Sequence, residues 1–109
     1  MWVMTTRGFF SVVAHADEPG KVLVRARARG DLEALAEIAG PFEVLETPER
    51  DYRWRAVMPR VQWSTTLVLL ATEIDYPNFK DAVARRQGSA RERVYHDVWR
   101  ALRVLQRRA

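Results

Sequence analysis

The chain has 109 residues, a length that fits one domain. It has no cysteine and two histidines, so disulfide scaffolds, thiolate metal sites and cysteine nucleophiles are excluded, and no metal site or cofactor is expected. No apolar run approaches the roughly 20 residues that span a bilayer, and the N-terminus lacks the pattern of a signal peptide. We therefore expect a soluble cytoplasmic protein without a membrane partner.

Charge is distributed unevenly along the chain. Of 18 basic residues, 16 are arginine, and the guanidinium group suits phosphate and carboxylate ligands. From Lys80 onward there are nine basic and three acidic residues, a net charge of +6, whereas the preceding part carries −2. This asymmetry indicates an anionic partner for the C-terminal part.

The N-terminal elements are predicted from alternation and turn signals. Residues 2–6 and 9–15 are predicted to form one strand that bends at Gly8. The clearest strand is residues 21–29, in which valine and alanine alternate with basic side chains. Asp31 is then predicted to cap the first helix.

The central elements follow the same signals. The sequence Gly40-Pro41 ends the first helix, and two further strands are predicted over residues 42–46 and 52–58. Pro59 suits the first turn of a second helix. The buried face of that helix is predicted to contain residues at spacings of 4, 3 and 4: Trp63, Leu67, Leu70 and Ile74.

Two helices complete the chain. The corner at Tyr76 and Pro77 precedes a short helix over residues 78–86, which Gly88 ends. Ser89 and Glu92 fit a capping box for the last helix. The buried side of that helix is predicted to consist of Val94, Val98, Ala101, Leu102 and Leu105, flanked by Tyr95 and Trp99.

The order of elements is therefore ββαββααα, which predicts an α+β fold. Short hairpin connections favour a four-stranded antiparallel sheet, with the helices on one face in a two-layer sandwich. A permuted ferredoxin-like topology is one arrangement compatible with this order. A single domain over residues 1–109 is expected.

Six short segments are distinctive as a set: GFFSVV at residues 8–13, VRAR at 24–27, DYRWR at 51–55, IDYPNFK at 74–80, RQG at 86–88 and YHDVW at 95–99. With them the chain resembles a family of small, uncharacterised bacterial proteins of about 100 residues, over essentially its whole length. The resemblance implies a shared fold. It implies no activity, ligand or site residue.

The last helix provides the main candidate for a binding surface. Basic side chains recur at spacings of 3, 4, 3 and 4, which on a helix form one straight basic stripe: Arg93, His96, Arg100, Arg103 and Arg107. The stripe spans roughly 21 Å at 1.5 Å per residue. It is suited to a phosphate backbone, and the alternative is an ordinary solvated helix face.

Arginines on the strands are the second candidate. Arg25, Arg27, Arg29, Arg53 and Arg55 are predicted to share the sheet face that the helices leave uncovered, with Tyr52 and Trp54 on the buried face. They would bind an anion there, and Arg25, Arg27 and Arg53 are added to the candidate site. The alternative is pairing with acidic neighbours such as Glu43 or Glu46.

An enzyme is not favoured. His96 with Asp97 or Asp75 could form a base and its orienting group, but adjacent helix residues diverge by about 100° and no serine lies in a nucleophile elbow. A structural corner is the alternative for this region. The best hypothesis is a nucleic-acid-binding accessory protein that contacts the backbone. The alternative is a protein-interaction module or homodimer, in which the arginines meet an acidic protein surface or only aid solubility.

Overall fold

A computed structural model describes residues 1–108 of the chain, with side chains through Arg107. The fold is α+β with one open antiparallel sheet, as predicted. Contacts divide the chain into two compact units, Met1–Asp75 (unit 1) and Tyr76–Ala109 (unit 2). A single domain was predicted from the length of the chain. In the structure, packing is concentrated within each of these two units.

Unit 1 contains all the strands of the described residues and two helices. Its elements are β1 (Trp2–Met4), β2 (Phe9–Ala14), β3 (Lys21–Ala26), α1 (Arg29–Ala39), β4 (Leu45–Glu46), β5 (Trp54–Pro59) and α2 (Arg60–Thr72). Unit 2 is helical, with α3 (Phe79–Gln87), α4 (Ser89–Leu102) and the short α5 (Val104–Arg108).

The sheet has five strands in the order β1-β2-β3-β5-β4, so the prediction of four strands was wrong. The error lies at the N-terminus, where β1 and β2 form an antiparallel hairpin with Val3 opposite Phe10. The Thr5 hydroxyl closes the connecting turn by accepting from the backbone N–H groups of Arg7 and Gly8, at 3.1 Å each. A turn held by a threonine side chain gives only a weak sequence signal, and the alternation continues across it.

One face of the sheet and the inner sides of α1 and α2 form the core. The strand residues in it include Phe10, Val12, Val22, Val24 and Met58. The helices add fully or largely buried side chains: Leu32, Leu35, Trp63 and Leu70. This is the predicted two-layer packing of helices against one face of a sheet, formed within unit 1.

Two details of the helices differ from the predictions. Ile74, predicted as core, lies beyond the end of α2 and is exposed. Asp31 is not the N-cap of α1, because Ala28 takes that position. Asp31 lies within the first turn of α1 and is buried, and its Oδ2 accepts a hydrogen bond of 3.0 Å from the backbone N–H of Phe9. The carboxylate of an Asp near a helix start can accept a hydrogen bond from a backbone N–H of its own helix or of a neighbouring element. Here the donor belongs to the neighbouring strand β2.

Gly8 is required by this contact. A Cβ atom built on Gly8 would lie 2.5 Å from both Cβ and Cγ of Asp31. We expect Gly8→Ala to destabilise the fold by about 1–3 kcal/mol, because the hairpin turn must move away from α1. Urea denaturation followed by circular dichroism would measure this change.

Gly30→Ala is the matched control for Gly8→Ala. Gly30 lies in the first turn of α1, and nothing would lie within 4 Å of an added Cβ. Its replacement should be neutral or stabilising by up to about 1 kcal/mol, since alanine is the better helix former. Equal midpoints for the two variants would contradict the tight Gly8–Asp31 contact.

Arg7 is a buried charge in the same turn, and its side chain is only 7% exposed. Its Nε donates to both carboxylate oxygens of Glu73, at 3.0 and 2.9 Å, and its Nη2 pairs with the same carboxylate. Its Nη1 donates to the carbonyl of Ala34 at 2.7 Å and to Glu37 at 3.2 Å. Hydrogen bonding to Glu73 is the main cause that raises the pKa of Arg7, against the opposing effect of desolvation. The guanidinium thereby joins the hairpin to α1 and to the residue that follows α2.

Arg7→Met should destabilise unit 1 by about 2–4 kcal/mol, because it removes the buried guanidinium that pairs with the Glu73 carboxylate and joins the hairpin to α1. Arg29→Met provides the comparison, since Arg29 pairs with Glu33 at 3.4 Å on the exposed side of α1 and should contribute less than about 1 kcal/mol. Thermal and urea unfolding of both variants would measure the difference. A loss for Arg7→Met no larger than that for Arg29→Met would contradict a structural role for the buried pair.

Candidate nucleic-acid interface

The corner that opens unit 2 positions α3 against α4. Asn78 is the N-cap of α3, and its side-chain oxygen accepts from the backbone N–H of Asp81 at 2.9 Å. The rings of Phe79 and Tyr95 stack with centroids 5.7 Å apart, and Tyr76 packs on Phe79 at 6.0 Å. The predicted helix start at Asn78 and the predicted packing of Tyr76 and Phe79 are present in these contacts. The structural corner as the alternative to a catalytic site stays a prediction.

The start of α4 differs from its predicted capping box. Gly88, with a φ of 96°, is the N-cap, and no side chain makes the capping hydrogen bond. Ser89 is already helical, and the backbone N–H of Glu92 donates to the Gly88 carbonyl. Glycine tolerates this positive φ, so the backbone can turn directly from α3 into α4 without a side-chain cap.

The basic stripe is not carried by one straight helix. Arg93, His96 and Arg100 lie on α4, which ends at Leu102. Arg103 lies in the intervening turn, where its backbone N–H donates to the carbonyl of Arg100, three residues back, and Arg107 lies in α5. The tighter turn changes the direction of the side chains that follow. The part of the stripe on α4 therefore covers three of the five predicted positions.

The predicted buried side of α4 is largely exposed. Val94, Leu102 and Leu105 are 57%, 56% and 61% exposed, and Ala101 is also exposed. The buried residue of α4 is instead Tyr95, which stacks on α3. The apolar residues of this helix are too many for one packing face. The stacking of Phe79 on Tyr95 determines that the side with Tyr95 is the buried one. The assignment of its core face was therefore wrong.

A cationic cluster surrounds Trp99, which is 49% exposed. The Lys80 ammonium lies 4.6 Å from the centre of the indole ring, and the Arg103 guanidinium lies 5.3 Å from it. The His96 ring stacks on the same indole at 5.3 Å, and Lys80 Nζ lies 3.1 Å from His96 Nδ1. We call these four residues the Trp99 cluster.

The Trp99 cluster holds the Lys80 ammonium of α3 and the Arg103 guanidinium, which follows α4, around one aromatic ring. Cation–π contact restrains the positions of the charged groups while leaving N–H donors for an external anion. Lys80 was not among the sequence candidates, although it is one of only two lysines. Sequence alone does not give the register of α3 against α4, so this neighbour could not be foreseen.

Three further basic side chains of unit 2 are also accessible. Arg93 and Arg100 are exposed, and Arg107 is exposed on α5. Among the residues that the structure describes, no ion pair engages these three arginines. Their guanidinium groups can therefore bind an anion without breaking an internal salt bridge.

The sheet arginines, in contrast, have partners within unit 1. Arg25 donates to the Ser11 hydroxyl at 2.7 Å, and Arg27 donates to the Asp51 carbonyl at 2.9 Å. Both guanidiniums lie over the Tyr52 ring, at 4.7 and 4.4 Å. Tyr52 precedes β5 and is buried, as predicted, but it packs against these guanidiniums and lies outside the core that α1 and α2 cover.

Arg53 and Arg55 hold the loop before β5. Arg53 forms an ion pair of 2.6 Å with Glu46, the acidic neighbour named in the alternative prediction. Arg55 donates to the Thr47 hydroxyl at 3.1 Å and lies 3.7 Å from the Asp51 carboxylate. Through these contacts the strand arginines have a structural role. Their binding of an external anion stays a prediction.

Two other features are absent from the described residues. Within residues 1–108 no group of three or more His, Asp or Glu side chains could hold a metal ion. In the same part of the chain no helix has the length and apolar character needed to cross a membrane. Comparison with known protein families, curated proteins and solved structures finds no match. The function must therefore be argued from the residues themselves.

The position of Lys80 depends on the cap of α3, which gives a test of the local geometry. Asn78→Ala should lower the stability of the fold by about 0.5–2 kcal/mol, because the backbone N–H of Asp81 loses its acceptor. Asn78→Asp should retain most of that stability. Ser89→Ala, at a position without a capping bond, should be nearly neutral. Thermal unfolding of the three variants would measure this order, and an equal loss in Ser89→Ala would contradict the assignment of the caps.

Proposed function

We propose that the protein is a small cytoplasmic nucleic-acid-binding or nucleic-acid-associated accessory protein. The observation that carries the proposal is the Trp99 cluster, in which Lys80, His96 and Arg103 surround a half-exposed indole ring. Exposed Arg93 and Arg100 on α4 extend the basic surface. Arg107 on α5 belongs to the proposed site as well.

Charge supports an anionic polymer as the ligand. Unit 2 contains nine basic and three acidic residues, a net charge of +6, while unit 1 carries −2. The boundary between the structural units therefore coincides with the change in charge. Arginines that neutralise several phosphates release condensed counterions, which gives strong and salt-dependent binding. Recognition would be directed mainly at the backbone, because phosphate contacts carry no base sequence.

The fold adds no independent support for this function. We interpret the order β2-β3-β5-β4, with α1 after β3 and α2 after β5, as a permuted ferredoxin-like arrangement extended by β1. Folds of that kind host many unrelated functions. The resemblance to small bacterial proteins likewise stays a prediction and supplies no activity. The proposal therefore depends on the side chains of unit 2 alone.

A protein partner is the second candidate, and the exposed apolar side of α4 favours it. Val94 and Leu102 are more than half exposed on α4, the helix that carries Arg93 and Arg100, and Leu105 is similarly exposed on α5. An acidic protein surface with an apolar centre would match that combination of side chains. Binding of such a partner would need the apolar residues, whereas binding of a phosphate backbone would need mainly the arginines.

Fluorescence anisotropy with labelled 20-nucleotide single strands and duplexes tests the primary proposal. We expect binding at about 50 mM salt that weakens steeply as salt rises. Arg100→Gln should weaken binding to all sequences about equally and reduce the salt slope by roughly one unit, because one phosphate contact is lost. Trp99→Ala should also weaken binding, since it removes the ring that holds Lys80, His96 and Arg103.

Arg50→Gln is the matched control, because it removes the same charge from an exposed turn in unit 1. It should leave affinity and salt slope nearly unchanged. Arg53→Gln tests separately whether a strand arginine contributes to binding, since the guanidinium of Arg53 is paired with Glu46. Absence of binding at about 50 mM salt, or equal losses in Arg50→Gln and Arg100→Gln, would overturn the proposal.

A further inference from the structure

Lys80 and His96 meet nitrogen to nitrogen within the Trp99 cluster. Lys80 Nζ lies 3.1 Å from Nδ1 of His96, and the imidazole ring stacks on the indole of Trp99. An ammonium group has donors and no acceptor, so in this hydrogen bond the imidazole accepts at Nδ1. The structure therefore shows the cluster in the state in which His96 is neutral.

Binding of a proton would change what His96 offers at Nδ1. A protonated imidazole donates at both ring nitrogens, so Nδ1 could no longer accept from Lys80. Two cationic donors would then face each other at 3.1 Å, and an anion between them would relieve their repulsion. A phosphate oxygen can accept from two donors at once, so one phosphate group would satisfy both nitrogens.

The charged groups on α4 around His96 are of both signs. Arg100 lies one turn after it and Arg93 three residues before it, so both share its side of the helix. Glu92 lies one turn before it, and Asp97 is its neighbour in sequence, turned away by about 100°. The two basic and two acidic groups of this helix therefore balance in number.

The elements packed against α4 add basic groups at the imidazole. Lys80 of α3 contacts Nδ1, and the Arg103 guanidinium lies 5.3 Å from the centre of the indole on which the imidazole stacks. Among the described side chains, neither forms an ion pair with an acidic one. A phosphate here would thus meet two cationic groups when His96 is neutral and three when it is protonated. The other charged side chains of these elements are exposed: Asp81, Arg85 and Arg86 of α3, and Arg107 of α5.

We infer that a phosphate of the bound nucleic acid replaces the hydrogen bond between Lys80 and His96 and accepts from both side chains, and that the imidazole takes up a proton as the phosphate binds. This inference rests on the proposed function and adds a dependence on pH to it. Because the complex holds the additional proton, affinity increases as pH falls. The gain is lost where the pH is high enough for the bound imidazole to release that proton. Imidazole ordinarily titrates at about pH 6.5, so the change in affinity is expected close to neutral pH.

The chain has two histidines, which provide a matched pair of variants. His15 lies in the β2–β3 turn of unit 1, where its Nδ1 accepts from the backbone N–H groups of Asp17 and Glu18, at 3.2 and 3.1 Å. Asparagine places an amide oxygen close to the position of Nδ1. His96→Asn and His15→Asn therefore each retain an acceptor and lose the ring that titrates.

Fluorescence anisotropy at constant ionic strength measures the dependence on pH. The probe is a strand of about 20 thymidine nucleotides with a 5′-hydroxyl end and a label that does not titrate, so that only the protein changes its charge. Between about pH 7.5 and pH 5.5 the affinity of the unsubstituted chain should rise about 3–10-fold. His15→Asn should show the same rise, whereas His96→Asn should change less than about twofold. Circular dichroism would verify that both variants fold.

Proton NMR of the imidazole C–H resonances follows each histidine of the unsubstituted chain directly. The spectrum of His96→Asn lacks one set of these resonances and so assigns both. On saturation with the oligothymidine, the titration midpoint of the His96 resonance should rise by about 0.5–1 pH unit, which corresponds to the 3–10-fold change in affinity. The midpoint of the His15 resonance should stay where it is.

The outcomes separate this inference from the proposed function. Binding with the same pH dependence in His96→Asn as in the unsubstituted chain would overturn the inference and leave the proposed function intact. A His96 midpoint that does not move on saturation would do the same. Absence of binding at both ends of the pH range would overturn the proposed function, and this inference with it.

Discussion

The buried guanidinium of Arg7 is the interaction on which the arrangement of unit 1 depends. Removing such a charge from water is costly unless its donors are paired, and the partners come from two parts of the chain. The carbonyl of Ala34 and the carboxylate of Glu37 belong to α1, and Glu73 follows α2. One side chain in the β1–β2 turn thus fixes both helices on the sheet. The contact of Gly8 with Asp31 in the same turn sets how closely α1 can approach.

Fixing α2 in this way also determines which of its sides remains in solvent. Trp63, Thr66 and Leu70 are buried on the inner side of α2, and the Thr66 hydroxyl donates to the carbonyl of Gln62. The opposite side is then exposed with its valines and internally bonded threonines. A helix that is apolar all round is normally buried on all sides. The same constraint that stabilises unit 1 therefore produces the uncharged outer surface.

Local signals in the sequence predicted the fold where they were unambiguous. The alternation in β3, the core positions Trp63 and Leu70 and the start of α3 at Asn78 all appear in the structure. Prediction failed where the local sequence was compatible with two different structures. The residues before and after Gly8 alternate as one strand would, and only the side chain of Thr5 shows that the chain reverses. On α4 the apolar residues allow several packing faces, and the choice depends on a contact with Phe79, which belongs to another helix. The same limitation concealed Lys80, because helix register is a tertiary property.

Arginine in this chain serves three physical roles that composition alone does not separate. Arg7 is buried and fully paired, the strand arginines pack on Tyr52 or pair with Glu46, and Arg93 and Arg100 face solvent on α4. For the first two groups, binding a phosphate would require the loss of hydrogen bonds that stabilise unit 1. This loss would offset the free energy gained from phosphate binding. For Arg93 and Arg100 no ion pair with another described residue has to be broken, so the counterion release that accompanies phosphate binding is retained in full. The capacity of unit 2 to bind nucleic acid therefore depends on which guanidinium donors remain available more than on the number of arginines.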